Sequence, residues 1–146
     1  RGRFAASERS EDDRQVNRLR AWGPAAAWAA VLFLLSAWST PSVPSWALGM
    51  DKLAHAALYS ILGATLGYGR HYAVPTPPHW LLIGLGALYG ATDEWHQSFV
   101  RGRSPDLGDW VADIVGVTLG YTAVLLVLGW WTRRKRPGKG RIDVSS

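Results

Sequence analysis

Four apolar segments constrain this chain more than anything else in it. Residues 21–39, 52–69, 80–97 and 110–131 are each close to the roughly 20 residues that an α-helix needs to cross hydrocarbon, although the apolar part of the third, Leu81 to Thr92, is short and reaches the far side only if its Asp93 to Gln97 end sits in a polar pocket or at the interface. Backbone placed in hydrocarbon must satisfy its own hydrogen bonds, so segments of this kind fold as helices. A mean hydropathy of -0.02 would ordinarily describe a soluble protein, but here it averages charged ends with an apolar middle. The expected fold is therefore all-α, an integral membrane four-helix bundle.

The intervening stretches fit that reading. Residues 1–20 set six arginines against Glu8, Glu11, Asp12 and Asp13 with little to bury, which predicts a solvated, disordered arm. A basic flank before an apolar run also describes a signal peptide. No convincing small-x-small cleavage site lies between Ser36 and Ala47, so the first segment is expected to stay as an uncleaved helix. Thr40 to Ser45, with Pro41 and Pro44, is a connector that blocks helix continuation, and Pro75, Pro77 and Pro78 stiffen the next loop. Asp109 stands where a cap would open the fourth span, and residues 133–146 form a basic tail.

Charge sets the expected topology. Outside the spans, residues 1–20, the loop after residue 69 and the C-terminal tail hold thirteen Lys and Arg on one side, against Lys52, Arg101 and Arg103 on the other. The positive-inside rule then places both termini in the cytoplasm of a multi-pass cell-membrane protein. The nine tryptophans fall mostly near segment ends, where amphipathic rings anchor at the interface. Gly63-x-x-x-Gly67, Gly86-x-x-x-Gly90 and Gly116-x-x-x-Gly120 predict close approach of spans two, three and four, with span one as an outer wall.

The polar stretch from Asp93 to Asp113 joins the last two spans yet holds five acids, two arginines and a histidine. Charges at the edge of a hydrocarbon slab are costly unless paired or solvated, so such a concentration needs a function or a partner. With the topology above it faces outward and meets Asp51, His55 and Tyr59, which lie at i, i+4 and i+8 on one face of the second span. The candidate site is this outward cup. Glu94, His55 and Asp93 are candidate acid and base groups. Arg101, Arg103, Asp109, Asp113, Gln97, Tyr59 and Asp51 are candidate substrate-binding residues, the arginines suiting a phosphate or carboxylate.

These residues carry a resemblance. Asp93-Glu94-x-x-Gln97, then Phe99-x-x-Gly102-Arg103 with Asp109, then Asp113-x-x-Gly116-x-x-x-Gly120, preceded by Asp51-x-x-x-His55-x-x-x-Tyr59, resemble the VanZ-like family of small bacterial membrane proteins. The chain departs from that pattern at Asp113, where Asn is expected, and at Val100, where Pro is usual. The resemblance implies a membrane location and an envelope context, not a settled chemistry. Expected partners are the bilayer and a lipid-linked envelope precursor or glycopeptide. The competing reading is structural, with Arg101 or Arg103 pairing with Asp93, Glu94 or Asp113 to clamp the hairpin of spans three and four.

Other functions fit less well. The basic clusters flank spans and lack a stacking platform, so no nucleic acid is expected. The chain has no cysteine, hence no thiolate site. His55 with Asp93, Glu94 or Asp109 could hold a metal, but the only local pattern, Glu94-x-His96, sends its side chains to different helix faces. No metal and no cofactor are assigned from sequence.

Overall fold

The computed structural model describes residues 2–38 and 48–135, with side chains described from residue 15 onward outside 48–49. Four helices follow in order: α1 (Gly2–Ser36), α2 (Leu48–Tyr72), α3 (His79–Gln97) and α4 (Leu107–Arg134). Among the described residues there is no strand. The fold is all-helical, as the apolar segments predict. The connector from Thr40 to Ser45 and the tail beyond Lys135 lie outside the described residues.

Two helix starts differ from the sequence reading. The stretch expected to be a disordered arm is helical from Gly2 and runs without a break into the first apolar segment. Its composition supports this, because Ala5, Ala6, Glu8, Arg9, Glu11, Arg14, Leu19 and Arg20 are good helix formers, and adding a turn to an existing helix avoids the cost of nucleation. Residues 15–20 are exposed, in keeping with a solvated segment. The second difference is the cap of α4, which is Asp106 and not Asp109: the Gly108 N–H donates to Asp106 Oδ1 at 2.7 Å. Pro105 favours an extended residue before it and frees Asp106 to close the turn, while Asp109 falls in the first helical turn, where a carboxylate suits the helix dipole.

Neighbours in sequence run antiparallel, which leaves α2 and α4 parallel. These two make the tightest pair. A Cβ on Gly63 would lie 2.0 Å from the Val117 carbonyl oxygen, one on Gly116 2.3 Å from that of Ala56, and one on Gly120 1.8 Å from that of Ser60. Backbone therefore touches backbone along the seam, as small-x-x-x-small spacing predicts. The glycines of α3 serve differently, since Gly86 faces the Val117 side chain and Gly90 the Asp113 carboxylate. On the opposite flank α1 packs against α2 and α3, where the Trp28 indole N–H donates to the Leu58 carbonyl at 2.9 Å and the Tyr89 hydroxyl to that of Ala29.

The radial distribution of side chains is inverted relative to a soluble domain. Leu34 (66 % exposed), Leu88, Leu119 and Leu126 face outward, whereas His55, Asp93, Glu94, Gln97, Asp109 and Asp113 are buried. An apolar core of Leu32, Tyr59, Leu62 and Val117 lies beside those polar groups. Large continuous apolar surface is rare on soluble monomers and normal where lipid is the solvent. Among the described residues two helical stretches, Gln15–Ser36 and Leu107–Arg134, are long and apolar enough to cross a membrane. At 25 and 19 residues, α2 and α3 reach about 37 and 28 Å, but their polar ends dilute their hydropathy.

Trp38, Trp80, Trp95, Trp130 and Trp131 are exposed near helix ends, as anchors would be. Trp28 and Trp110 instead spend their indole N–H groups joining helices, Trp110 donating to the Ala87 carbonyl at 2.9 Å.

Candidate functional site

The start of α2, the end of α3 and the start of α4 come together at one end of the molecule. Heptad-like spacing on α2 turns His55 and Tyr59 inward while Asp51 remains exposed at the rim. On α3, Asp93, Glu94 and Gln97 are buried, and the Gln97 amide donates to Asp93 Oδ2 at 3.1 Å across one turn. On α4, Asp109 and Asp113 share an inward face. Nine of the ten residues assembled from sequence bound this one region; Arg101 is exposed in the turn and makes no ion pair among the described residues.

At the centre, His55 Nδ1 lies 2.9 Å from Asp113 Oδ1. At that distance the two groups share a hydrogen bond that orients the ring, its donor set by the imidazole tautomer. Asp113 is fully enclosed, and no Cβ intervenes on the α3 side because residue 90 is glycine. Glu94 reaches the same place from α3. Its Oε2 accepts the Asp106 backbone N–H at 2.8 Å, tying α3 to the α4 cap, while Oε1 has no partner. Asp113 Oδ2 and the Tyr59 hydroxyl are also buried without partners. The Tyr59 ring lies parallel to His55 with centroids 6.4 Å apart.

A second, outer layer holds the ion pairs. Lys52 Nζ donates to Asp106 Oδ2 at 2.7 Å and to Asp109 Oδ1 at 2.9 Å, bridging α2 to α4. Lys52 holds the Asp106 carboxyl below its usual range, and the Gly108 N–H adds to the effect. The clamp expected from Arg101 or Arg103 onto Asp93, Glu94 or Asp113 is absent among the described residues. Arg103 Nη1 donates instead to the Gln97 side-chain oxygen at 3.2 Å. Lys52 supplies the cation, and it joins α2 to α4 where the hairpin of α3 and α4 was expected. Lys52 and Asp106 were missed as site residues. The available signal was that Lys52 is one of only three cations on this side and begins the helix that carries His55.

Two cavities open beside this cluster. One of about 120 Å³ is lined by Ser36, Asp51, His55, Tyr59, Asp93 and Arg103 among others, enough for a few waters or one small anionic group. The other, about 320 Å³, is an apolar groove between α1 and α3 walled by Phe33, Tyr89, Thr92, Trp95, His96 and Phe99. Asp93 borders both. His96 stacks obliquely on Phe33, with ring centroids 4.8 Å apart, and stands on the groove side.

Fold and site together define an all-helical protein that buries the four carboxylates Asp93, Glu94, Asp109 and Asp113 and exposes many leucines, with two described helices long and apolar enough to cross a membrane. The chain matches the VanZ/LLP1 family over residues 4–128, and it belongs to that family. Comparisons with curated proteins and with solved structures return no match.

Proposed function

We propose that all four helices cross the membrane, with both termini in the cytoplasm and the polar cluster at the outer leaflet, and that the cluster binds or processes an anionic amphiphile of the cell envelope. The antiparallel packing supports the topology, because side-chain hydrogen bonds tie α2 to α1 and α3 to both α1 and α4, the two helices long and apolar enough to cross a membrane. The charge count supports the orientation. One observation carries the substrate class: a polar cavity containing Arg103 and His55 shares Asp93 with an apolar groove. A headgroup and a hydrocarbon chain would fill such a pair together, and a lipid-linked precursor or lipid headgroup has both parts. His55, oriented by Asp113, is placed to take or give a proton, and Glu94 is the second carboxyl within reach.

The test is binding of envelope lipids and lipid-linked precursors to protein in nanodiscs, comparing wild type with Glu94→Gln and Arg103→Ala at matched thermal stability. Selective binding lost in folded variants supports the reading. No binding, with variants that only melt earlier, returns the cluster to a structural clamp.

A further inference from the structure

We infer that His55, Glu94 and Asp113 form a binding site for one divalent transition-metal ion. A ring nitrogen of His55 and one carboxylate oxygen from each of Glu94 and Asp113 lie within 4.8 Å of one another, and all three residues are buried. Ligand atoms around an ion with bonds of about 2.1 Å stand about 3.4 Å apart, so side-chain adjustment alone closes the triangle.

Acids close together do not make a metal site, and a second observation singles this one out. Each carboxylate has one oxygen engaged and one orphaned: Glu94 Oε2 accepts the Asp106 N–H and Asp113 Oδ1 faces His55, while Glu94 Oε1 and Asp113 Oδ2 are buried with no donor. Burying a carboxylate oxygen without a donor is costly, and a cation held between the two removes both deficits at once. The neighbouring group of Asp51, His55 and Asp109 differs, because Lys52 already occupies Asp109. One imidazole with two carboxylates is a mixed nitrogen and oxygen set that suits Zn²⁺ or Mn²⁺ and leaves positions open for water or an anionic ligand.

The inference concerns the site of the reading above and rests on that reading for the ion's role, not for its presence. Acids outnumber cations in the cluster, and an anionic headgroup approaching it would be repelled. A bound dication reverses the local field and gives the anion a ligand position.

Protein in zwitterionic nanodiscs, stripped with chelator and dialysed against Mn²⁺ or Zn²⁺, is assayed for metal content and melting temperature. One ion per chain is expected, with a raised melting temperature and affinity about 100-fold weaker or worse in Glu94→Gln and Asp113→Asn. X-ray absorption at the bound Zn²⁺ should show mixed nitrogen and oxygen ligation. If Asp113→Asn fails to fold, Glu94→Gln decides alone, since it sits nearer the loop. Substoichiometric binding, or affinity retained in folded Glu94→Gln, overturns the inference. Repeating the lipid-binding assay with and without chelator separates the two readings: an ion bound by protein that takes up no lipid in either state sinks the proposed function only, and lipid binding by protein that takes up no ion sinks the metal site only.

Discussion

Asp113 is enclosed on every side, and its engaged oxygen faces one residue, His55. Removing the imidazole leaves a buried carboxylate uncompensated, which costs about 3 kcal/mol in comparable pairs. His55→Leu is therefore expected to lower stability by about that much in a reversible unfolding assay, and adding Asp113→Leu should recover much of it, because two apolar groups suit this interior. The Lys52 bridge is more exposed and should behave in the opposite way toward solvent. Lys52→Ala is expected to give a small fall in melting temperature that shrinks as salt is added, whereas Arg101→Ala should change nothing. Asp106 gives a pH signature. Its carboxyl is depressed by Lys52 and then by the Gly108 N–H, so its contribution is present above the ordinary carboxylate pKa of about 3.9 and is lost as pH falls through the lower folded value. The melting gap between wild type and Asp106→Asn should accordingly be present at neutral pH and close in acid.

Among elements, the α2 and α4 seam is the part with least tolerance. Gly120 has the Ser60 carbonyl where a Cβ would go, and backbone cannot step aside as a side chain can. Gly120→Ala should force the helices apart and lower stability by several kcal/mol, within the range of severe overpacking. Gly84 on α3 has open space around it, so Gly84→Ala should stabilise by about 0.5–1 kcal/mol through helix propensity. A matched pair of melting curves checks both signs. The three glycine motifs looked alike in the sequence, and only packing separated them into a backbone seam on α2 and α4 and a side-chain recess on α3. Capping shows the same ambiguity: Asp106 and Asp109 both precede the apolar run, and the extended backbone after Pro105 selected the first.

At the scale of the molecule, the absence of cysteine makes orientation directly measurable. Ser104→Cys should react with a membrane-impermeant maleimide on intact cells, whereas Ser10→Cys and Ser145→Cys should react only after permeabilisation; the reverse pattern would invert the proposed topology. Segment length, apolar composition and motif spacing are local properties that no partner can alter, so the all-helical fold, the four apolar segments and the family were legible in the residues. Of the ten site residues the sequence marked, nine converge at one end, because i, i+4 spacing fixes a helix face. Which residue pairs with which was decided by the tertiary structure alone. Lys52 and not an arginine bridges to α4, His55 meets Asp113, and two carboxylate oxygens are left without donors, because those outcomes depend on how closely three helices approach. That approach is set by glycine seams acting between elements, and the distance between elements is not written in the periodicity of any one of them.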